Sequence, residues 1–200
     1  MGRRDARCYI RVIMMEQNFA LFETAIGACG VVWSARGLLG VQLPEVNERA
    51  TRARLEQRHP LAREATPPSD VLNAIDGIKA LLAGERRDLA DIVIDNDGVP
   101  EFNTRVYAIV RKVPPGETIT YGEIAEKLGD KLLARAVGQA MGENRCPIVM
   151  PCHRVLAASG KSGGFSAPGG VITKLKLLTI EGAQPGGPTL FDALPLQARR

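Results

Sequence analysis

The chain has few histidines and cysteines, and it has no long hydrophobic run. Its four cysteines, Cys8, Cys29, Cys146 and Cys152, show no tight spacing. This argues against a disulfide framework and, with no secretory signal ahead of them, favours reduced thiols in a cytosolic or nuclear compartment. The apolar stretch at residues 10–15 is too short to span a bilayer. We therefore expect a soluble protein with no membrane partner.

The scarcity of close ligand pairs also argues against a metal site. Cys146, Cys152 and His153 lie near one another in the sequence, but they lack the closely paired cysteine ligands that structural zinc sites use. Cys146 is interpreted instead as a small buried hydrophobic residue. The other histidine, His59, is interpreted as a surface residue. The sequence predicts no metal site.

Size and charge suit several kinds of partner. The 200 residues are 45% hydrophobic and 24% charged, with a net charge of +4 and a pI near 9.0. Such a chain can bury one large core or two compact ones, and its basic balance suits a polyanionic partner without proving one. We place a boundary near residue 100. The predicted parts are a disordered extension at 1–17, an N-terminal domain at 18–98, a second domain at 99–183 and a tail at 184–200.

The first half of the chain combines strand and helix patterns. Short apolar runs separated by turn residues predict an antiparallel meander over residues 19–43. The strongly charged stretch 47–59 suits either a solvated helix or a loop. Apolar residues recur at helical spacing in 68–82, and the Ile-Val-Ile run at 92–94 is interpreted as one more strand.

Helical periodicity dominates the second half. It predicts helices over residues 102–113, 121–128, 132–141 and 171–180. Thr120 is placed to cap the second of these helices, and the second and third have the lengths of a helix-turn-helix. The third helix carries mostly small residues, and Arg135 is its only charge before Glu143, so it suits either close packing or a nucleic-acid surface. The glycine-rich stretch 159–170 is predicted to form a loop over Cys152.

Residues 147–155, Pro-Ile-Val-Met-Pro-Cys-His-Arg-Val, place a thiol beside one of only two histidines. A cysteine reacts as its thiolate, which needs a base or a positive charge nearby, and His153 and Arg154 supply one of each. Neighbouring side chains on an extended backbone point to opposite faces, so His153 should reach Cys152 through a water or a sharp turn. Glu181 follows the last helix, where a carboxylate opposes the macrodipole. Either it orients His153 or it is simply exposed to solvent.

Several short motifs surround this segment. They are Ile119-Thr-Tyr-Gly, Ala134-Arg-Ala-Val-Gly, Asn144 eight residues before Cys152, Pro-Cys-His-Arg-Val and Ile180-Glu-Gly. Together they closely resemble the O6-alkylguanine-DNA alkyltransferases, also called methylated-DNA–protein-cysteine methyltransferases. The resemblance implies an α+β protein in which an N-terminal ribonuclease-H-like α/β domain precedes a mainly helical, winged-helix-like DNA-binding alkyltransferase domain.

The resemblance also implies a reaction. Cys152 would take the alkyl group from O6 of a damaged guanine in one irreversible SN2 transfer per protein molecule, with O4-alkylthymine left open as a second lesion. No cofactor is implied. Tyr121 matches the family's proton donor to the guanine ring, and His153 with Glu181 matches its relay to the thiol. The implied partner is double-stranded DNA containing O6-alkylguanine, bound by a monomer in the cytoplasm or, in a eukaryote, in the nucleus.

Further residues match the family's contacts with a nucleotide rotated out of the stack. Asn144 matches the support of the active-site turn, Val155 the backbone acceptor of the guanine amino group, Ser166 the backbone donor to O6, and Met141 a DNA- or substrate-binding residue. Arg135 matches the finger that fills the gap left in the duplex, with its helix in the minor groove.

The chain departs from the family pattern in the pocket loop. Phe165 stands where many members have tyrosine, and the Ser-Ala-Pro-Gly-Gly stretch at 166–170 is longer than the common version by two residues. The preferred alkyl size is consequently open. Cys8, Cys29 and His59 do not supply the zinc ligands found in some relatives.

Three other functions are weighed against repair. A non-enzymatic damage sensor binds the lesion but lacks the nucleophile, and Cys152 argues against it. A Cys-His-Glu hydrolase of small amides would not need the Arg135 helix or the basic balance. A helix-turn-helix regulator would need more base-reading side chains than the helix predicted at 132–141 carries, because most of its residues are small.

Overall fold

The computed structural model describes residues 16–158 and 162–183. The predicted extension and tail fall on residues 1–15 and 184–200, which lie outside the described residues. Within the described part, no helix has both the length and the apolar character needed to cross a membrane.

An N-terminal sheet contains four strands. They are β1 (Asn18–Phe22), β2 (Cys29–Ser34), β3 (Gly37–Gln42) and β4 (Arg63–Glu64). The first three are antiparallel, so the predicted meander is confirmed. β4 pairs in parallel with β1 and completes the order β3-β2-β1-β4. β2 is buried along almost its whole length because β1 and β3 lie on its two sides.

The charged stretch after β3 forms a helix, α1 (Glu48–Arg58). The Asn47 side chain accepts a hydrogen bond from a first-turn amide at 2.9 Å, and this N-cap stabilises the helix over the alternative loop. Thr51 and Leu55 are the buried residues of α1, and Leu55 packs with Phe19 and Val32 on one face of the sheet. The helix is therefore solvated on one side only.

The opposite face of the sheet is covered by α2 (Ser69–Leu82). Strand alternation turns Val31 and Trp33 away from the α1 side and into the cluster that contains α2. The helix-spaced apolar residues of α2 are all buried, as their spacing predicts: Val71, Ile75, Ile78 and Leu82.

The strand predicted at 92–94 is wrong. Ile94 makes a single bridge with Leu38 and no longer ladder. The pairing ends there because the Asp95 carboxylate turns to accept hydrogen bonds from Ser34 Oγ at 2.6 Å and Arg36 Nε at 3.1 Å. Local side-chain bonds of this kind compete with extension of a ladder.

The second part of the chain is mainly helical. It contains α3 (Glu101–Val110), the short strand β5 (Ile119–Thr120), α4 (Tyr121–Lys127), a 3₁₀ turn (Lys131–Leu133) and α5 (Ala134–Gly142). The predicted pair of helices after Thr120 is confirmed. α3 ends three residues earlier than its apolar spacing predicts, because Val113 precedes a proline and is disfavoured from the helical region.

A complete capping box begins α4. Thr120 Oγ1 accepts from the Glu123 amide at 3.1 Å, and the Glu123 carboxylate accepts from the Thr120 amide at 2.6 Å. The cap predicted at Thr120 is confirmed, and the Glu123 side chain adds the reciprocal hydrogen bond of a capping box.

The segment that carries Cys152 follows α5. A 3₁₀ turn (Cys152–Arg154) leads into β6 (Val155–Leu156), which pairs in parallel with β5, and the last helix is α6 (Gly170–Ile180). The fold is therefore mixed α+β with a helical second part, as the sequence predicts.

The two parts share one hydrophobic cluster that runs from the sheet to α6. The Val41 amide donates to the Arg145 carbonyl at 2.9 Å, and this bond joins β3 to the segment before Cys152. His59 lies at the same junction, with its ring against Gly40. It is half-buried by this contact, so its interpretation as a surface residue is wrong. The boundary near residue 100 stays a prediction.

The capping box generates a stability prediction. Thr120→Ala removes the side-chain acceptor at the start of α4, and we expect the free energy of unfolding to fall by about 1 kcal/mol. Urea unfolding monitored by circular dichroism measures it. Thr179→Ala is the matched control, because Thr179 is exposed and its hydroxyl bonds only to the Leu175 carbonyl within α6. Equal losses in the two variants would contradict a capping role.

Candidate active site

Cys152 sits on a sharp turn rather than on an extended strand. Its amide donates to the Met150 carbonyl at 2.7 Å, and the Arg154 amide donates to the Pro151 carbonyl at 2.9 Å. Ile148, just upstream, has a φ of 75°, a left-handed conformation that is costly for a β-branched residue. The surrounding contacts must therefore hold this segment in place.

Asn144 is the main tie of the turn. Its Nδ2 donates to the Met150 carbonyl at 2.9 Å and contacts Cys152 Sγ at 3.1 Å, while its Oδ1 accepts from the Cys146 amide at 2.9 Å. The side chain is buried. One amide thus fixes both ends of the turn and donates to the sulfur, a contact that favours the thiolate.

The environment of Cys152 differs from that of the other described cysteines. Burial raises the pKa of Cys152, but the Asn144 hydrogen bond and the charge of Lys174 oppose that rise. Burial raises the pKa of Cys146 to about 12 and that of Cys29 to about 11. Cys146 is the buried thiol that the sequence predicts, whereas Cys152 receives a side-chain hydrogen bond from Asn144 that favours its thiolate.

Glu181 joins the turn to the end of α6. Its Oε1 lies 2.8 Å from His153 Nε2, and its two oxygens accept from Arg154 at 2.8 and 2.7 Å. The side chain is not solvent-exposed, so the alternative that it orients His153 is the one the structure supports. Arg154 does not face Cys152 as the sequence suggested, because its guanidinium is used by Glu181 and the Val113 carbonyl.

The electrostatics of this buried group favour a neutral imidazole beside an ionised carboxylate. Burial alone would raise the pKa of Glu181, but hydrogen bonds from His153 and Arg154 outweigh it and hold that pKa at about 2. Burial lowers the pKa of His153 more than Glu181 raises it. Since Nε2 donates to Glu181, Nδ1 is left as an acceptor. Nδ1 is buried and has no hydrogen-bond partner among the described residues.

Lys174 is a component of the site that the sequence reasoning missed. It is fully buried in α6, where Nζ donates to the Val155 carbonyl at 2.6 Å and to the Gly164 carbonyl at 3.4 Å. Burial lowers its pKa to about 8, opposed by the charge of Cys152. The signal was present, because Lys174 stands three and four residues before the buried Leu177 and Leu178. A lysine on the apolar stripe of a helix needs a polar partner inside.

A cavity of about 560 Å³ opens beside the thiol. Its lining includes Tyr121, Arg135, Met141, Cys152 and Ser166, all of which the sequence predicts as site residues. The small residues of α5 leave this space open, since a Cβ on Gly138 would lie 4.0 Å from the Tyr121 ring.

Tyr121 and Val155 occupy different positions relative to this cavity. Burial raises the pKa of Tyr121, and Cys152 raises it further, so its hydroxyl holds a proton at neutral pH. Val155 is buried, and the cavity lining does not include it. Its carbonyl, which the sequence predicts as a base contact, accepts from Lys174.

These features define a class of protein in which one cysteine, hydrogen-bonded by an asparagine, faces a cavity beside a helix pair. The chain matches the family model described as 6-O-methylguanine DNA methyltransferase, DNA binding domain, over residues 101–183. It belongs to the family of methylated-DNA–protein-cysteine methyltransferases.

Known relatives resemble most of the chain. A methylated-DNA–protein-cysteine methyltransferase of Mycobacterium tuberculosis is 42% identical over 141 residues, which cover 69% of this chain and 83% of the relative. A protein of Thermus thermophilus named DNA base-flipping protein is 37% identical over 149 residues, covering 74% of this chain and 95% of that protein. The structure of Mycobacterium tuberculosis OGT in complex with DNA has a TM-score of 0.67 and 32% identity, covering 82% of this chain and 92% of that one.

The buried carboxylate generates a prediction about pH. Glu181→Gln leaves Arg154 without its counter-charge, and we expect the free energy of unfolding at pH 7 to fall by about 3–5 kcal/mol. The folded pKa of Glu181, about 2, lies below its ordinary value of 4.5. Its stabilisation is therefore complete above the ordinary value and is lost as the pH falls toward about 2. In urea unfolding experiments, the difference in free energy of unfolding between wild type and Glu181→Gln should become smaller as the pH falls over that interval.

Glu64→Gln is the matched control for this experiment. Glu64 pairs with Arg52 at 2.8 Å on the surface, and exposed ion pairs contribute about 0–1 kcal/mol. A Glu181→Gln difference that stays constant from pH 7 to pH 2 would contradict the assigned pKa shift.

The buried lysine generates a prediction about the thiol. Lys174→Met removes a positive charge near Cys152, and we expect the pH midpoint of Cys152 alkylation by iodoacetamide to rise. Fragment-ion mass spectrometry would follow modification of Cys152 itself. Lys176→Met is the control, because Lys176 lies on the exposed side of the same helix. An unchanged midpoint in Lys174→Met would remove Lys174 from the electrostatics of the thiol.

Proposed function

We propose that this protein repairs O6-alkylguanine in double-stranded DNA by transferring the alkyl group irreversibly to Cys152, one group per protein molecule. The observation that carries the proposal is the position of Cys152. Its sulfur accepts a hydrogen bond from Asn144 and lines a cavity beside the α4–α5 helix pair. This helix pair lies in the part of the chain that matches the family's DNA-binding domain. O4-alkylthymine presents the same kind of exocyclic O-alkyl bond and is a second candidate lesion.

The damaged nucleotide must leave the duplex before it can react. A base inside a duplex cannot reach a thiol that is only 7% exposed, so it has to rotate out at a cost of about a few kcal/mol. Arg135 is exposed on α5 and lines the same cavity, which supports a role in filling the vacated space. The small-residue surface of α5 would then approach the minor groove, where readout depends little on sequence.

The chemistry is an SN2 displacement. The Cys152 sulfur forms a bond to the alkyl carbon as the bond from that carbon to O6 breaks, and the electron pair passes to the guanine. The Cys152 proton passes through a water to Nδ1 of His153, and Glu181 stabilises the resulting imidazolium. Tyr121 gives its hydroxyl proton to the guanine ring and is reprotonated afterwards. The products are a thioether and an unmodified guanine, and the reaction needs no cofactor.

In our proposal, one residue supports the cysteine turn and three contact the base. Asn144 supports the turn, Met141 packs against the base, the Ser166 amide donates to O6, and the Val155 carbonyl accepts from the guanine amino group. Lys174 also donates to the Val155 carbonyl, at 2.6 Å. A carbonyl oxygen has two lone pairs, so one contact does not exclude the other.

We also propose the finer architecture and the assembly. The mixed sheet with a helix on each face supports a ribonuclease-H-like domain at 18–98. The α4–α5 pair next to strands β5 and β6 supports a winged-helix-like domain at 99–183. We also propose that the protein acts as a monomer.

The alternative is a protein that binds the lesion without transferring the alkyl group. Similarity to a protein named DNA base-flipping protein keeps this alternative open. The thiol and its hydrogen bond from Asn144 favour transfer, since a pure binder needs neither.

Mass spectrometry tests the proposal. We expect that mixing the protein with duplex DNA carrying one O6-methylguanine adds one methyl group to the intact mass. Trypsin leaves Cys146 and Cys152 together on residues 146–154, so fragment ions between the two cysteines must locate the methyl group.

Two variants complete this experiment. Cys152→Ala should gain no methyl group, and Cys146→Ala should gain it as the wild type does. Tight lesion binding with no mass change in the wild type would establish the sensor alternative, and a methyl group on Cys146 would overturn the assignment of the nucleophile.

A further inference from the structure

A second and larger cavity reaches Cys152 from another direction. It has a volume of about 1220 Å³ and lies between α1 and the pocket loop. Four residues line both cavities: Gly142, Cys152, Phe165 and Ser166. The two spaces therefore adjoin at the reacting sulfur. We call the larger one the α1 cleft.

The walls of the α1 cleft carry an unbalanced positive charge. Arg54, Arg58 and Arg145 line it, and none of them lies within 4.0 Å of a carboxylate in the described part of the chain. Burial lowers the pKa of Arg58, and the positive charges of Arg54 and Arg145 lower it further. Arg58 is therefore repelled by both neighbouring guanidinium groups. The lining also holds two carboxylates, Glu45 and Glu143, so three positive and two negative side chains leave the cleft with a net positive charge. All three side chains are exposed, and like charges gathered in one cleft attract an anion.

The remaining wall is apolar or small. Ala50 and Ala53 on α1 keep the cleft open, and Phe165, Ala167 and Pro168 form its opposite side. A ligand that suits these surroundings has an aliphatic part and an anionic group.

The longer pocket loop contributes to this wall. Ala167 and Pro168 belong to the stretch that exceeds the common family version by two residues, and both line the α1 cleft but not the smaller cavity.

We propose that the α1 cleft receives the distal part of long O6-alkyl groups, and that its arginines favour chains that end in a carboxylate. The inference rests on the proposed function. The reaction is unchanged: the sulfur bonds to the carbon attached to O6, the bond from that carbon to O6 breaks, and the electron pair leaves with the guanine. The rest of the alkyl chain remains attached to the transferred carbon and lies in the α1 cleft.

Three duplexes test the proposal. They differ only in the group on O6, which is methyl, pentyl or 4-carboxybutyl, so the last two have similar lengths and differ in terminal charge. We expect the wild type to react about tenfold faster with the carboxylate chain than with the pentyl chain in single-turnover experiments, as expected for a charge-assisted contact. In the double variant Arg54→Gln, Arg58→Gln, the ratio of these two rates should fall to about one. The rate of this variant with O6-methylguanine should be unchanged.

Arg49→Gln is the matched control, because Arg49 is exposed on the same helix and does not line the cleft. The intact mass of the protein would show that the whole alkyl group is transferred.

Other outcomes overturn the inference in distinguishable ways. Transfer of methyl but of neither long group would exclude the cleft from the site and leave the proposed function standing. Equal slowing of all three substrates in the double variant, with a weaker salt dependence of DNA binding, would assign the arginines to DNA phosphates. No transfer from any duplex would overturn both the inference and the proposed function.

Discussion

The site depends first on one buried carboxylate. Glu181 is bonded to His153 and Arg154, and Arg154 continues to the Val113 carbonyl, so the end of α6, the cysteine turn and the end of α3 are joined through a single charge. Glu181 stands at a helix C-terminus, where a carboxylate is disfavoured. Its two cationic or polar partners offset this cost, and the segments they join can hardly move apart without leaving a charge unpaired.

The same principle extends to the thiol. Asn144 and Lys174 are polar side chains inside the core, and each bonds to backbone carbonyls that frame Cys152. Buried polar groups of this kind are costly when unsatisfied and rigidifying when satisfied. The sulfur is thereby held in one place before a substrate arrives, which is what a nucleophile that reacts once requires.

The thiol of Cys152 lies between two cavities, and each part of the fold contributes to one of them. The C-terminal helices supply the smaller space, and the N-terminal helix α1 supplies one wall of the larger one. The N-terminal sheet consequently does more than support the second part of the chain. The hydrogen bond from the Val41 amide to the Arg145 carbonyl joins this sheet to the segment that precedes the cysteine turn.

Local pattern in the sequence was sufficient for the meander, α2, the helix pair and the motif around Cys152, because each depends on spacing within a short window. It failed at residues 92–94 and at His59, where contacts with distant segments decide the outcome. The pairing of Glu181 with His153 was a correct hypothesis, whereas the role of Arg154 and the burial of Lys174 were not foreseen. Only the tertiary structure decided these, because the partner of a buried charge is chosen by three-dimensional proximity, which spacing along the chain does not encode.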